Sequence, residues 1–578
     1  MVRRNDYGND DTPDDELIPS SNIHPGMDAL PRSVFLPLAR ACHCTLALRY
    51  CPVDDPLAAW LYPVFLLRFV RTQPLWRGIL LALLATVLVL EVAWQGFLPF
   101  PWVLSVPLVF VVGVIITLPY LIDRVVAPRL GGMLGTLVFP LAVTTVWYLF
   151  AVVSPWGTVY NPAYTQYGNL PLLQLLSVTG LWGIVFVMSW LASVVNWAWE
   201  RSFAWPRVRG GAALYASLLA LVLLFGGVRL ALFPAQASTV RVAGITPSHA
   251  VIAAAEKPIS ELSQNDVQAL ISGKATQAVR EIIRWASAPV FDDLLSRSEQ
   301  EARAGAKIII WPEQSGGLVL FLQEDEAALL ARASALARTT GTYLDLGMVM
   351  VLQQPVQSHF FLDESILIDP TGSVVWRYEK AHPAPGEQEA PGDGNVPTVQ
   401  TPYGRLATVV CYDADFPGTM RQAGQAGADI MLVPSNDWQA YDPYHTQLIT
   451  FRAIENGYSL VRQTSNGLAM AVDYEGHVLA ASDYFTTDPQ VMVAYVPMQG
   501  VRTIYAMIGD LFAWLSVAGL VVLIGVAIAR RRKAGEAGEA APISAESSSG
   551  EPIEAVSTSG ELTEPRPSSG EPPAASPT

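Results

Sequence analysis

Six long apolar runs constrain this chain more than any other feature of its sequence. Each has roughly the 20 mostly apolar residues that a helix needs to cross a bilayer. Two weaker stretches precede them: 56–70 is short, and 34–49 carries Arg40, His43 and Arg49. The sequence therefore predicts a multi-pass membrane protein with six spans, or with eight if the weaker pair also crosses. The six runs lie at about residues 77–97, 103–122, 131–153, 171–197, 212–233 and 506–529.

The composition indicates that different parts of the chain lie in different solvents. Apolar residues make up 51% and charged residues only 15%, yet the formal net charge is −15. The two ends are polar and contain few large apolar side chains, so we expect them to be disordered. The predicted organisation is a disordered N-terminal tail at 1–32, a transmembrane helical domain at 33–233, a soluble α/β domain at 238–498, a final transmembrane helix at 506–529 and a disordered tail at 534–578.

Basic residues predict the orientation in the membrane. Lys and Arg are absent from the loops 98–102 and 154–170 and cluster in the alternate ones. Because basic loops stay in the cytoplasm, the 238–498 domain should be extracytoplasmic and the 534–578 tail cytoplasmic, in a plasma or inner membrane. The basic residues are Arg68, Arg71 and Arg77, then Arg124 and Arg129, then Arg201, Arg207 and Arg209, and finally Arg530–Lys533.

The outer loop 154–170 is rich in aromatic residues. Trp156, Tyr160, Tyr164 and Tyr167 are typical of an aromatic belt at the membrane interface. The alternative interpretation is that they form part of a surface through which lipids reach the outer domain.

Strand-like and helix-like segments alternate through the outer domain. Short β-rich runs such as "AKIIIWPE", "RLATVVCYD" and "ADIMLVPS" are separated by helical patterns. This alternation predicts an α/β architecture. The segments "DPTGSVV" and "DYEGHVL" are typical of hairpins with a Gly-containing turn.

Three chemically useful side chains follow predicted strands. Glu313 comes after "AKIIIWP", Lys380 after "SVVWRYE" and Cys411 after "RLATVV". Sites in α/β proteins gather at strand ends, because the sheet positions the loops there. A carboxylate can take a thiol proton, an ammonium can stabilise an oxyanion, and a thiolate is a nucleophile. Taken singly, each residue also fits a structural role: a solvated cap, a surface charge or core filler.

Several spaced motifs resemble the carbon–nitrogen hydrolase (nitrilase) superfamily. The resemblance implies an αββα sandwich in which Glu313 is the general base, Lys380 the oxyanion-stabilising cation and Cys411 the nucleophile. The motifs are "WPE", "YEK" followed by "AHPAPGE", "CYDADFP", "PSNDW" and "FRAIENGYSLVRQTSNG".

The combination of such a domain with membrane spans resembles the apolipoprotein N-acyltransferase family, whose catalytic domain lies before the last span. The stretch "PLLQLLSVTGLWGIVFVMSWLASVVN" is also similar to that family. The resemblance implies transfer of an acyl chain from a membrane phospholipid, through a Cys thioester, to the N-terminal amine of a diacylglyceryl-cysteine lipoprotein. It implies that Glu387, Tyr412, Asp413 and Asn436 either bind the substrate or support the residues that do. Asp413 stands where the family has Glu, and the loop that carries Glu387 is one residue shorter and lacks a Phe.

Two other functions remain open on the sequence alone. A membrane-tethered amidase or nitrilase-like hydrolase would let water resolve the acyl-enzyme. A catalytically dead lipoprotein-binding scaffold is disfavoured because all three triad positions are filled.

The remaining polar residues predict little chemistry. The sequence indicates no cofactor and no nucleic-acid partner, and no metal either, because Cys42, Cys44 and Cys51 fit no usual zinc spacing. Arg452 and Glu455 are expected to form a structural ion pair. We expect mostly architectural roles for His445, Arg462 and Asn466.

Overall fold

A computed structural model of the chain describes residues 56–94, 102–235, 238–313, 320–357 and 359–539. The predicted tail 1–32, the apolar stretch 34–49 and the three cysteines Cys42, Cys44 and Cys51 lie outside these ranges, as does most of the tail 534–578.

Apolar helices form most of residues 56–232, which we call the membrane half of the protein. Five of them, together with the last helix of the chain, are long and apolar enough to cross a membrane, so the protein is a multi-pass membrane protein. The helix over the weaker stretch 56–70 has 17 residues and is not among these six. The helices are α1 (Pro56–Thr72), α2 (Leu75–Ala93), α3 (Trp102–Leu130), α4 (Val138–Val153), α5 (Leu170–Leu173), α6 (Leu176–Thr179), α7 (Leu181–Trp199) and α8 (Trp205–Leu232).

The predicted span 171–197 is wrong in its first third. The chain there forms the short helices α5 and α6, and the long helix α7 begins only at Leu181. Gly180 separates them with φ 62°, a left-handed conformation that favours glycine. A Cβ at Gly180 would also lie 2.5 Å from a ring carbon of Tyr505. The break brings the chain into contact with the segment before the last helix, which hydropathy alone does not reveal.

Two six-stranded mixed sheets form the centre of the domain at 238–498. The strands are β1 (Thr239–Ile245), β2 (Ile308–Ile310), β3 (Tyr343–Val356), β4 (His359–Ile368), β5 (Val374–Glu379), β6 (Thr398–Thr401), β7 (Gly404–Thr408), β8 (Ile430–Asn436), β9 (Ser459–Ser465), β10 (Leu468–Val472), β11 (Val478–Asp483) and β12 (Val491–Pro497). The first sheet has the order β12-β1-β2-β3-β4-β5 and the second β11-β10-β9-β8-β7-β6. Both predicted hairpins are confirmed, since β4 pairs antiparallel with β5 and β10 with β11.

Helices cover the outer face of each sheet. One core joins the two sheets, with Ile308 and Leu367 of the first packed with Leu406 and Ile430 of the second. A second core joins the first sheet to the helices outside it. The outer domain is therefore the predicted αββα sandwich. Its helices are α9 (His249–Ser260), α10 (Gln264–Ile271), α11 (Gln277–Arg303), α12 (Glu326–Thr340), α13 (Pro417–Gln425), α14 (Tyr444–Gln447) and α15 (Ile449–Asn456).

The chain leaves the sandwich through α16 (Ile504–Ile508) and ends its described part with α17 (Leu511–Glu539). Helix α17 thus begins later than the predicted 506, after Gly509 with φ 60°. It also includes 534–539, which were predicted to be disordered. Residues 534–539 contain only Ala, Gly and Glu, of which Ala and Glu favour helix.

The sandwich rests on the membrane helices through a shared apolar core. Tyr164 and Trp182 from the membrane half pack there with Phe451 and Ile454 of α15. Tyr164 is only 3% exposed, so the aromatic-belt interpretation is wrong for this residue. The loop 154–170 instead packs against the outer domain.

Candidate active site

The three predicted triad residues follow strands of both sheets. Glu313 comes three residues after β2, Lys380 directly after β5 and Cys411 three residues after β7. Cys411 opens a 3₁₀ turn, Cys411–Asp415, and has φ 45°. A non-glycine residue in this left-handed region is uncommon and persists only where the surroundings impose it. This backbone holds the thiol at the end of the strand instead of within it.

Lys380 lies at the centre of a buried acidic cluster. Its side chain is fully buried, and its Nζ lies 2.8 Å from Glu313, 2.8 Å from Glu387, 3.0 Å from Glu389 and 3.3 Å from Asp363. Burial lowers the pKa of Lys380, but these carboxylates outweigh it and the net pKa is raised well above the ordinary value. Lys380 is therefore a fixed cation at neutral pH. The carboxylates Glu313, Glu387 and Glu389 have the spacing of a metal site, but here Lys380 supplies the cation.

The carboxyl groups of this cluster differ in protonation. Burial raises the pKa of Glu313, but the charge of Lys380 and side-chain hydrogen bonds lower it by a larger amount, so the net pKa lies below the ordinary value. Burial and repulsion by Glu313 and Glu389 raise the pKa of Asp363 well above its ordinary value. Burial also raises the pKa of Glu389 to about 8. The cluster therefore favours the ionised form of Glu313 and the protonated forms of Asp363 and Glu389.

Cys411 is a buried thiol that needs a base. Its side chain is 5% exposed, and its Sγ donates to the backbone carbonyl of Asn436 at 3.4 Å. Burial and the nearby charge of Glu313 raise the pKa of the thiol well above its ordinary value. Lys380 binds Oε1 of Glu313, whereas Oε2 has no hydrogen-bond partner in the described parts of the chain. That oxygen is free to accept the thiol proton.

The four other predicted site residues differ in where they lie. Glu387 binds Lys380, and the carbonyl of Asn436 accepts from Cys411, so both lie in the site. The Tyr412 hydroxyl donates to the carbonyl of Pro155 at 3.4 Å, which points it toward the membrane half.

Asp413 is fully buried and faces the protein. Its carboxylate accepts hydrogen bonds from the Tyr378 hydroxyl and the His382 backbone, both at 2.8 Å, and from the backbone N–H groups of Ala381 and Val410 at 3.3 Å. These bonds tie the turn of Cys411 to the segment after Lys380. The geometry makes Asp413 a support of the turn that carries Cys411.

Several buried charged residues near the site were not singled out from the sequence. Asp363 and Glu389 complete the surroundings of Lys380. An acidic residue inside the apolar strand β4 was the available signal for Asp363. The sulfur of Cys411 also lies within 4.8 Å of side-chain atoms of Asp437 and His445. His445 and Arg462 had been expected to be architectural, but the fold brings His445 close to Cys411 and Arg462 into contact with His445.

The turn of Cys411 touches the membrane half directly. The backbone N–H and the hydroxyl of Thr158 donate to the carbonyl of Asp415 at 3.0 and 2.7 Å. The predicted ion pair of Arg452 and Glu455 is confirmed, and Arg452 also donates to Thr158 at 3.0 Å and to the Tyr164 hydroxyl. The loop 154–170 therefore supports the turn that carries the thiol.

Several known proteins are similar to this chain. Residues 274–506 match the family model described as carbon-nitrogen hydrolase. The apolipoprotein N-acyltransferase of Geobacter metallireducens is 27% identical over 556 residues, covering 89% of this chain and 94% of that protein. The deaminated glutathione amidase of Mus musculus is 30% identical over 214 residues, covering 32% of this chain and 66% of that protein. An amidase structure from Nesterenkonia sp. aligns with TM-score 0.35 at 20% identity, covering 48% of this chain and 97% of that one. The resemblance inferred from the motifs is thus confirmed.

Proposed function

We propose that this chain, a homologue of the apolipoprotein N-acyltransferases with a carbon–nitrogen hydrolase domain, is itself an N-acyltransferase. The alignment with a protein of that name extends over 89% of the chain and so includes the membrane helices as well as the sandwich. We infer that the donor is a membrane phospholipid and that the acceptor is the N-terminal amine of a diacylglyceryl-cysteine lipoprotein.

The contact between the thiol's turn and the membrane loop carries this proposal. Thr158 binds the carbonyl of Asp415, four residues after Cys411, so the nucleophile lies close to the membrane half. Both proposed substrates carry acyl chains, and each methylene moved into water costs about 0.8 kcal/mol. A nucleophile held against the membrane helices can receive an acyl chain without exposing it to water.

The geometry supports a two-step mechanism. In the first step Glu313 takes the proton of Cys411, and the thiolate attacks the ester carbonyl of the phospholipid. Lys380 stabilises the oxyanion that forms. As the ester C–O bond breaks, Glu313 returns the proton to the leaving lysophospholipid oxygen, which leaves an acyl thioester on Cys411.

In the second step the free amine of the lipoprotein attacks the thioester carbonyl. Glu313 accepts the proton that the amine loses, and the C–S bond breaks to release an amide and the thiolate. The thiolate regains the proton from Glu313, and the site returns to its starting state. Ordered use of two substrates through a covalent intermediate is ping-pong catalysis.

The experiment is intact mass spectrometry of the full-length protein in a phospholipid of one defined acyl chain. The protein should gain the mass of one acyl group, release about one lysolipid per site and then stop. A diacylglyceryl peptide with a free N-terminal Cys amine should discharge it, and the N-acetylated peptide should not. A control in which Cys42, Cys44 and Cys51 are replaced by Ser should still be acylated, whereas Cys411→Ala should not.

The alternative is a membrane-tethered hydrolase. The similarity to an amidase over 32% of the chain favours it, although the similarity to an N-acyltransferase extends over 89%. Continuous release of free fatty acid or ammonia without an acceptor amine would support the hydrolase and contradict the acyltransferase.

We also propose that the sandwich lies outside the cytoplasm. The alternation of basic loops supports this orientation, since Arg and Lys cluster in every second loop between the membrane spans.

A further inference from the structure

The charge around Lys380 leaves the thiolate poorly supported from that side. Four carboxyl groups lie within 3.3 Å of one ammonium group. These four carboxyl groups share the one ammonium group, so little of its positive charge is left for the sulfur. Once Glu313 has taken the thiol proton, a second cation nearby would therefore favour the thiolate on Cys411.

Arg462 is such a cation. It lies on β9, and its side chain is fully buried. Its Nη2 is 3.1 Å from both carboxylate oxygens of Asp437. Its Nε and Nη1 have no hydrogen-bond partner among the residues that the structure describes. Burying a guanidinium with two unused donors is costly unless a nearby negative charge compensates.

A histidine and two carboxylates hold Arg462 in place. His445 Nδ1 lies 2.5 Å from Asp437, and His445 Nε2 lies 2.7 Å from Asp415. Burial and Arg462, whose Nη2 is 2.7 Å from Nδ1, lower the pKa of His445, but the carboxylates of Asp437 and Asp415 at the two ring nitrogens outweigh them, so the net pKa is raised.

The group formed by the side chains of Asp415, Asp437, His445 and Arg462 adjoins the thiol. Atoms of Cys411, Asp437 and His445 lie within 4.8 Å of one another. The carboxylate of Asp437 is already paired twice, with His445 and with Arg462. Of these four side chains, only Arg462 keeps donors that no other group uses.

We propose that Arg462 is a positioning residue of the reaction: a second cation, besides Lys380, that favours the Cys411 thiolate formed when Glu313 takes the thiol proton. This role rests on the proposed function only in that Cys411 is the nucleophile. Arg462 touches neither substrate, and it acts through the sulfur.

The electrostatics of the thiol agree with this geometry. Burial and Glu313 raise the pKa of Cys411, and Arg462 lowers it more strongly than Lys380 does. Asp437 raises it to a smaller extent. Conversely, a thiolate on Cys411 is among the charges that raise the pKa of Arg462. The charged groups that face the sulfur are thus Glu313, Lys380, Asp437, His445 and Arg462. Among them, Arg462 lowers the pKa of the thiol most.

The test is the pH profile of Cys411 alkylation by iodoacetamide in full-length protein whose Cys42, Cys44 and Cys51 are replaced by Ser. Arg462→Gln should move the midpoint of the profile upward by about one pH unit, which makes alkylation about tenfold slower below the midpoint. Arg462→Lys keeps the charge and should move the midpoint by much less. Because alkylation needs no lipid or lipoprotein, its outcome is independent of whether acyl transfer is observed.

Two further variants separate this role from a loss of folding. Arg241→Gln removes an arginine of β1 that pairs with the carboxylate of Glu301, and it should leave the midpoint unchanged. Asp437→Asn is isosteric and removes an anion, so it should move the midpoint downward. Shifts of opposite sign cannot come from general destabilisation. An unchanged profile for Arg462→Gln, or an unchanged or upward midpoint for Asp437→Asn, overturns the proposal, and Asp437→Asn decides alone if Arg462→Gln does not fold.

Discussion

Removing Arg452 should loosen the junction between the sandwich and the membrane helices. This side chain is fully buried, pairs with Glu455 and binds Thr158 and Tyr164 of the loop 154–170. Glu455 in turn accepts a hydrogen bond from the backbone N–H of Leu181 at 3.0 Å, at the start of α7. Arg452→Met therefore leaves a buried carboxylate without its cation and the loop without its anchor.

The size of the effect follows from burial. Removing one partner of a buried ion pair costs about 3–5 kcal/mol. For a domain of this size, this corresponds to a fall in Tm of about 10 °C. The double variant Arg452→Met, Glu455→Gln should recover much of the loss, since Gln is neutral and can still accept from Leu181.

The loss should also grow with pH. Burial raises the pKa of Glu455 to about 7, although Arg452 pulls it down. Without Arg452 the pKa of Glu455 rises further. The folded Arg452→Met variant therefore keeps the proton of Glu455, whereas the unfolded chain releases it from pH 4.5 upward. The stability of the variant consequently falls as the pH rises. Above pH 7 the parent has lost that proton and levels off, whereas the variant continues to lose about 1.4 kcal/mol per pH unit.

The assay is thermal unfolding of the purified parent, the single variant and the double variant in one detergent at pH 6, 7 and 8. The reasoning is refuted if the gap in Tm between parent and Arg452→Met does not widen from pH 7 to pH 8. It is also refuted if the double variant is no more stable than the single one, because the cost would then not come from the unpaired carboxylate.

Four further outcomes are expected. Glu313→Gln should fold but form no acyl thioester, because no base remains for the Cys411 thiol; a normal mass gain on phospholipid would contradict this. Asp363→Asn should acylate at pH 7 as the parent does, since it replaces a buried neutral acid with a neutral isostere; a large loss would mean that Asp363 acts as an anion. Gly180→Ala should lower Tm, because the new Cβ meets Tyr505 at 2.5 Å in a left-handed conformation, whereas Gly227→Ala, where nothing lies within 4 Å, should not. A cysteine placed at the exposed Arg303 should react with an impermeant thiol reagent applied to the outside of intact cells, and one at Ser549 should not; the reverse would overturn the orientation.

Much of the fold could be predicted from features that are local in the chain. Apolar runs of membrane-spanning length, alternating segments in the outer domain and the two Gly-containing hairpin turns each depend on neighbouring residues, and the structure contains them. The bends at Gly180 and Gly509 could not be predicted in this way, because the hydropathy of an apolar run is the same whether the run forms one helix or several. The spacing of motifs also predicted which thiol, amine and carboxylate to consider, and their assignment as a triad stays a prediction.

Hydropathy and the alternation of segments are enough to predict that the chain crosses a membrane and that Glu313, Lys380 and Cys411 follow strands, and the resemblance to a known superfamily implies the αββα sandwich between the spans. Which charges surround these three residues depends on how the whole chain packs. Asp363 and Glu389 reach Lys380, Arg462 and His445 reach the surroundings of Cys411, and Thr158 of the membrane half supports the thiol's turn. The physical reason is that hydropathy and turn preferences act over a few residues. The pKa of a buried group instead depends on charges brought within a few ångströms by the packing of two sheets and a helical bundle.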